Sequence, residues 1–148
     1  MKWIRIVVLI TIIAVGCGSF CLANSKHVGI VKSVSGDVVI VRNGQTFVAE
    51  VNTKIYNKDL LKTGSDGKIG LVFEDDTIIS MGTRSQIVIE DFLFEPAEKR
   101  MSFVARIIQG TASFLSGQME KLIPEGVRLE TPDAVIGFRG TRVLVRVE

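Results

Sequence analysis

Thr131-Pro132-Asp133-Ala134-Val135-Ile136-Gly137-Phe138-Arg139-Gly140-Thr141 sets two glycines around an aromatic and an arginine inside a β-branched, apolar run. Glycine within a strand pattern marks a bulge, or a place where another backbone comes close. Arg139 is the only long polar side chain between Ala134 and Gly140. Its guanidinium must therefore reach water or find a fixed carboxylate or carbonyl partner. The stretch predicts a knot formed by Gly137, Phe138, Arg139, Gly140 and Thr141, with short strands building a sheet around it. Arg139 has two readings: a cation offered to a partner, or an internal clamp that pins two strands. The internal clamp is the expectation, with Gly137 and Gly140 giving it room; breaking a buried pair of that kind costs roughly 3–5 kcal/mol.

Outward from this knot the pattern is all-β. Turn signals recur about every eight to twelve residues between β-branched runs from Val28 onward. Val28 to Val34 and Asp37 to Arg42 are joined by Ser35-Gly36, and Asn43-Gly44 leads into Gln45 to Val51. Asn-Gly is the strongest short hairpin signal, so these three strands are expected to form a meander. Between Thr53 and Thr63, Ile55, Leu60 and Leu61 want burial while Asn57, Lys58 and Asp59 want a turn. Gly64-Ser65-Asp66-Gly67 is a loop.

In Lys68 to Phe73, the side chains of Ile69, Leu71 and Phe73 share one face. Glu74-Asp75-Asp76 turns the chain into Thr77 to Met81, and Gly82-Thr83-Arg84-Ser85 loops into Gln86 to Phe94. There the apolar parity passes from Ile87 and Ile89 to Phe92 and Phe94. A slip across Glu90-Asp91 predicts a bulge or bend, because a one-residue shift swaps faces. Pro96 to Arg100 is a loop. Phe103 to Ile108 is short and followed by Gly110, which favours strand over helix, and Thr111 to Leu115 pairs after that glycine. Glu120 to Gly126 is a loop or short turn; Val127 to Thr131 and Thr141 to Val147 are the last strands. Little suggests helix. A sandwich, a roll and a short twisted solenoid all suit this pattern of antiparallel strands.

The N-terminus has the layout of an export signal. Met1 to Arg5 is basic, Ile6 to Val15 is apolar, and Cys21-Leu22-Ala23 offers small residues at a cleavage site. Its apolar run is short for a membrane span, which needs roughly 20 residues. Residues 1–23 are thus expected to be a signal segment and 24–148 the folded domain. Cleavage after Ala23, lipidation at Cys17 and an uncleaved anchor remain three alternatives. Cleavage leaves a mature chain without cysteine, in need of no disulfide.

The 148 residues carry 18 basic and 16 acidic side chains. Removing Lys2 and Arg5 leaves the two classes equal, so no electrostatic footprint for nucleic acid remains. About 125 residues suffice to bury one core unaided.

Catalytic chemistry is poorly served. The one histidine, His27, sits near the new N-terminus, where a general base would not be held rigidly. Without cysteine there is no Cys-His pair, and neither GxSxG nor a phosphate-cradling glycine loop occurs. Glu74-Asp75-Asp76 lacks the ligand spacing of a calcium loop and reads as a solvated hairpin turn. No catalytic, metal or cofactor site is expected.

Several blocks carry a family likeness: Asp59-Leu60-Leu61-Lys62-Thr63-Gly64-Ser65-Asp66-Gly67, Leu71-Val72-Phe73-Glu74-Asp75, and Ser85 before Ile87-Val88-Ile89. Gly110-Thr111-Ala112-Ser113-Phe114 and Thr131-Pro132 through Ile136-Gly137-Phe138-Arg139-Gly140-Thr141 continue the series. In this order they resemble the FecR domain, a bacterial envelope module, over most of Val28 to Val147. Two positions depart from the family pattern: Asp76 stands where glycine is usual, and Asp133 where the family is apolar or small.

The resemblance implies a secreted, non-catalytic module of a Gram-negative-type bacterium that docks to a protein in the periplasm or envelope. Its role would be binding, signalling or scaffolding. The family is named for regulators of iron–siderophore uptake that signal to a cytoplasmic sigma factor. With five residues ahead of the apolar run, direct control of a sigma factor is not expected here. Membrane contact is expected only through the N-terminal segment or a lipid on Cys17. β-Augmentation at an exposed edge is the expected docking mode. The alternative is a glycan- or peptidoglycan-binding module with Tyr56, Phe47 and Phe138 as its aromatic platform.

Overall fold

A computed structural model describes residues 25–137, 139–140 and 142–148. The expected signal segment with Cys17 and Cys21, and Phe138 and Thr141 of the C-terminal motif, lie outside the described residues. The strands are β1 (Gly29–Ser35), β2 (Val38–Arg42), β3 (Gln45–Val48), β4 (Lys54–Ile55), β5 (Leu60–Thr63), β6 (Lys68–Phe73), β7 (Ile78–Met81) and β8 (Gln86–Glu95). They continue with β9 (Arg100–Leu115), β10 (Val127–Glu130), β11 (Val135–Gly137) and β12 (Arg142–Val147), and one short helix, α1 (Gln118–Leu122), follows β9. The all-β expectation holds.

These strands form one curled sheet, a half-barrel roll, in the order β3-β2-β5-β8-β9-β7-β6-β1-β4. The hinge of the curl is β9. Its first half pairs with β8 and its second half with β7, so a single strand belongs to both limbs. On the other side of β9, β10 runs parallel to Phe103–Arg106 and β12 runs antiparallel to Gly110–Leu115. The β9–β10 pair departs from the antiparallel expectation.

The core lies between the limbs. Ring centroids of Phe73 and Phe103 are 4.8 Å apart, those of Phe92 and Phe103 5.1 Å, and Phe114 stacks behind at 5.4 Å. Around this aromatic spine pack Val31, Ile40, Ile55, Leu61, Leu71 and Ile89, all but excluded from water. Each such side chain contributes roughly 1.5–3 kcal/mol of burial. Alternation delivers them: β6 points Ile69, Leu71 and Phe73 inward and its other residues out. In β8 the register jumps between Ile89 and Asp91, leaving Glu90 as the extra residue. That is the predicted bulge, and it swings Phe92 back into the core.

Two turns do something other than expected. Ser35-Gly36 does not close a hairpin: β1 pairs with β4 and β6, whereas β2 pairs with β3 and β5. The glycine instead turns the chain from one limb to the other. Gly36 has φ +67°, and a side chain there would meet the Asp66 carbonyl oxygen at 2.3 Å. Only the Asn43-Gly44 hairpin of the predicted meander forms, with φ 50° and 77°.

Gly110 does not separate two paired strands either, since β9 runs straight through it. Phe103, Ala105 and Ile107 are buried before it and Ala112 and Phe114 after it, so the inward parity flips. The left-handed φ of +88° accomplishes the flip, and a Cβ at Gly110 would lie 2.2 Å from Ser85 Oγ.

Candidate functional site

The C-terminal motif is built on the β10–β11 hairpin. Thr131 closes it, its N–H donating to the Ala134 carbonyl (2.8 Å) and its Oγ1 accepting from the Ala134 N–H (3.1 Å). Gly137 then pairs with Arg128. At Gly140 the φ of +144° requires glycine; its N–H donates to Glu120 Oε1 (3.1 Å) and its carbonyl accepts from Ser116 Oγ (2.7 Å). Arg139 is exposed and makes no hydrogen bond or ion pair among the described residues. Among the described residues the predicted internal clamp is not formed. Nor do the glycines make room for it, since a Cβ at Gly137 or Gly140 would meet nothing within 4 Å. Among the described residues the β10–β11 ladder, Ile136 against the core and the backbone of Gly140 tie the motif to the body.

A clamp of the expected kind exists elsewhere. Arg42, the last residue of β2, donates Nε to Asp59 Oδ1 and Nη2 to Asp59 Oδ2, both at 2.7 Å. Nη2 also reaches the Lys54 carbonyl at 2.9 Å, and the Tyr56 N–H donates to Asp59 Oδ2 at 2.9 Å. The rings of Phe47 and Tyr56 lie over the guanidinium at 5.0 and 4.4 Å. The hydrogen bond to Asp59 raises the Arg42 pKa above its ordinary value, against the opposing pull of burial. Asp59 is fully buried, although its place after Asn57-Lys58 predicts only a turn. Phe47 and Tyr56, two of the three candidate platform aromatics, lie together around a cation of the chain itself. A charged residue opening an apolar block was the one signal that could have exposed Asp59.

Asp75 is likewise buried, not solvated. It accepts from Thr77 N–H (3.1 Å), Thr77 Oγ1 (2.7 Å) and the Met119 N–H (3.3 Å). Its own carbonyl receives the Gln118 N–H at 2.7 Å. The β6–β7 hairpin therefore holds α1 in place, and Met119 inserts into the core with no exposed surface. Ser85 performs a third structural task. Its Oγ accepts the Thr111 N–H (2.9 Å) beside Gly110, while its N–H donates to Thr63 Oγ1 (2.8 Å).

Two concave regions stand out beside smaller ones, which include a hollow of about 310 Å³ between Pro124, Glu125, Gly137 and Arg139. One, about 640 Å³, opens at the end of the roll between Lys26, His27, Arg42, Tyr56, Glu74 and Phe94. The other, about 520 Å³, runs beside the β10–β11 hairpin between Arg106, Ile108, Glu130, Thr131, Pro132 and Val135. Arg106 spans two carboxylates there, Glu90 at 3.1 Å and Glu130 at 2.9 Å, and Lys58 also reaches Glu90 at 2.9 Å. The Lys58 hydrogen bond, with Arg106 nearby, holds the Glu90 carboxyl below its ordinary 4.5. Ile108 and the two-thirds exposed Val135 supply the apolar centre of this groove. Among the described residues no group of three His, Cys, Asp or Glu side chains could hold a metal ion. No helix among them is long and apolar enough to cross a membrane.

The family model described as FecR protein matches residues 59–148, from the buried Asp59 to the end of β12 and beyond. The chain belongs to the FecR family. No curated protein and no solved structure matches it. The matched span supplies the central strands β5-β8-β9-β7-β6, and the preceding strands add to both flanks of the same sheet. β2 and β3 extend the sheet beyond β5, and β1 and β4 extend it beyond β6. Arg42 then fastens the added flank to the first residue of the matched span.

Proposed function

We propose that this FecR-family chain is a non-catalytic, exported envelope module that works by binding another envelope protein, in a signalling or scaffolding role. The observation that carries this reading is the groove beside β11. An exposed apolar centre, Ile108 and Val135, is rimmed by the ion pairs of Arg106 with Glu90 and Glu130. An apolar centre inside a polar rim is the anatomy of a protein interface. The neighbouring strand β11 pairs only with β10 among the described residues. Its free edge suits an extended segment of the partner, laid down by β-augmentation. The non-catalytic part of the reading is supported by the buried polar side chains Asp59, Thr63, Asp75, Thr77 and Ser85. All five are engaged in hydrogen bonds that hold the frame.

A photo-crosslinking amino acid at Val135, in cells expressing the full chain, tests the proposal. The expected result is a discrete protein adduct in the envelope fraction, absent when the probe stands at Val51 on the far flank. Recovery of the chain in the cytosolic fraction, or no adduct specific to Val135, overturns it.

A further inference from the structure

A different surface, the outer edge of β12, points to a second copy of this chain. β12 pairs with β9 in unbroken register, and among the described residues no strand pairs with its other edge. Several safeguards of an edge strand are lacking: Arg142 to Val147 contains no proline, no lysine and no bulge, and its two charges, Arg142 and Arg146, both lie on the outer face. Val143, Val145 and Val147 face the core, the first and last only partly covered, while Arg142, Leu144 and Arg146 face outward. Leu144 is 71% exposed, the highest value of any large apolar side chain described.

We infer that two copies pair through their β12 strands, antiparallel, about a two-fold axis through Val145. Symmetric edge pairing sets each residue opposite a residue on the same face, so the sequence of the strand decides which centre is allowed. Centring on Leu144 opposes Arg142 to Arg146, and centring on Arg146 opposes two arginines; like charges directly opposite are destabilising. Centring on Val145 removes both conflicts. It sets Arg142 opposite the second copy's Glu148 twice over, Val143 opposite Val147, and Leu144 against the aliphatic stem of Arg146. The inner row of valines then continues across the axis, covering the two that are half-exposed in one copy.

Sedimentation of the full chain purified from cells, over a dilution series, reads this directly. The expected result is a concentration-dependent dimer. Arg142→Glu and Glu148→Arg each weaken it by about tenfold or more, and the double reversal restores it. Arg142 is exposed and without a partner among the described residues, so unchanged melting of each variant separates loss of pairing from loss of fold. A monomer at all concentrations up to about 0.1 mM overturns the inference. So does a dimer indifferent to both single reversals.

Discussion

Arg42 and Asp59, seventeen positions apart, meet in a two-pronged contact of 2.7 Å on each prong at the junction between the flanking strands and the family core. The guanidinium keeps part of its surface in water while the carboxylate has none. Removing the cation therefore strands a buried charge.

Arg42→Ala is expected to destabilise the chain by about 3 kcal/mol, the low end for a broken buried pair because the guanidinium is partly exposed. Arg42→Lys should recover only a minor share, since an ammonium can neither grip both carboxylate oxygens nor lie flat between Phe47 and Tyr56. Urea unfolding of the two variants checks both statements. An alanine variant within about 0.5 kcal/mol of the parent would remove the clamp from the account.

Arg139→Ala should leave the melting temperature unchanged within the ordinary scatter of a surface substitution, about 0.5 kcal/mol. Gly137→Ala should do the same, because its Cβ would enter open space. Thermal melts side by side with Arg42→Ala locate the structural arginine. A large loss at Arg139 would restore the clamp first read from the motif.

Gly110→Ala is the opposite case. The new methyl would meet Ser85 at 2.2–2.7 Å from a backbone with φ +88°, so both sterics and conformation oppose it. We expect a loss above about 3 kcal/mol, or failure to accumulate folded protein. Soluble yield and far-ultraviolet circular dichroism report the result.

Asp75→Ala removes the acceptor of three hydrogen bonds and leaves the Met119 N–H buried without its carboxylate, at a cost of about 2–4 kcal/mol. Hydrogen exchange should show α1 losing protection before the sheet does. Uniform loss across β6 to β9 would mean that the aspartate supports the whole roll and not the helix dock.

Glu90 sets a modest acid dependence. Its folded pKa lies below the ordinary 4.5, so its contribution is present above that value and lost as pH falls through the folded pKa. Arg42, with its pKa raised above the ordinary guanidinium range, contributes below that range and loses the contribution only in strong alkali, so it adds no slope near neutrality. Glu90→Gln should flatten the stability profile below about pH 5 by under about 1 kcal/mol, as its partners are solvent-facing. Urea midpoints at pH 7 and pH 4 measure the difference.

Local chemistry made much of the fold legible in advance. The Asn43-Gly44 hairpin, the inward row of Ile69, Leu71 and Phe73, and the bulge at Glu90 each follow from period-two alternation or from left-handed turn residues. Both are properties of a few neighbouring positions. Gly110 was not legible in this way: apolar residues before it occupy both parities, and only burial shows the inward face passing from odd to even numbers across it. The site was less legible. Arg139 was singled out because it is a cation in an apolar run, yet Arg42 does that work, since Asp59 reaches it only after the chain has turned through β3 and β4.

The order of residues by itself determined an all-β chain of the FecR family, with strands where side chains alternate and turns where glycine or asparagine stands. Only the tertiary structure decided that β1 and β2 part company at Gly36, that β9 serves both limbs, and that Asp59 and Asp75 lie buried. Those outcomes depend on which distant groups arrive beside a given residue. A carboxylate looks the same in sequence whether water or an arginine awaits it, and burial is settled by the partner.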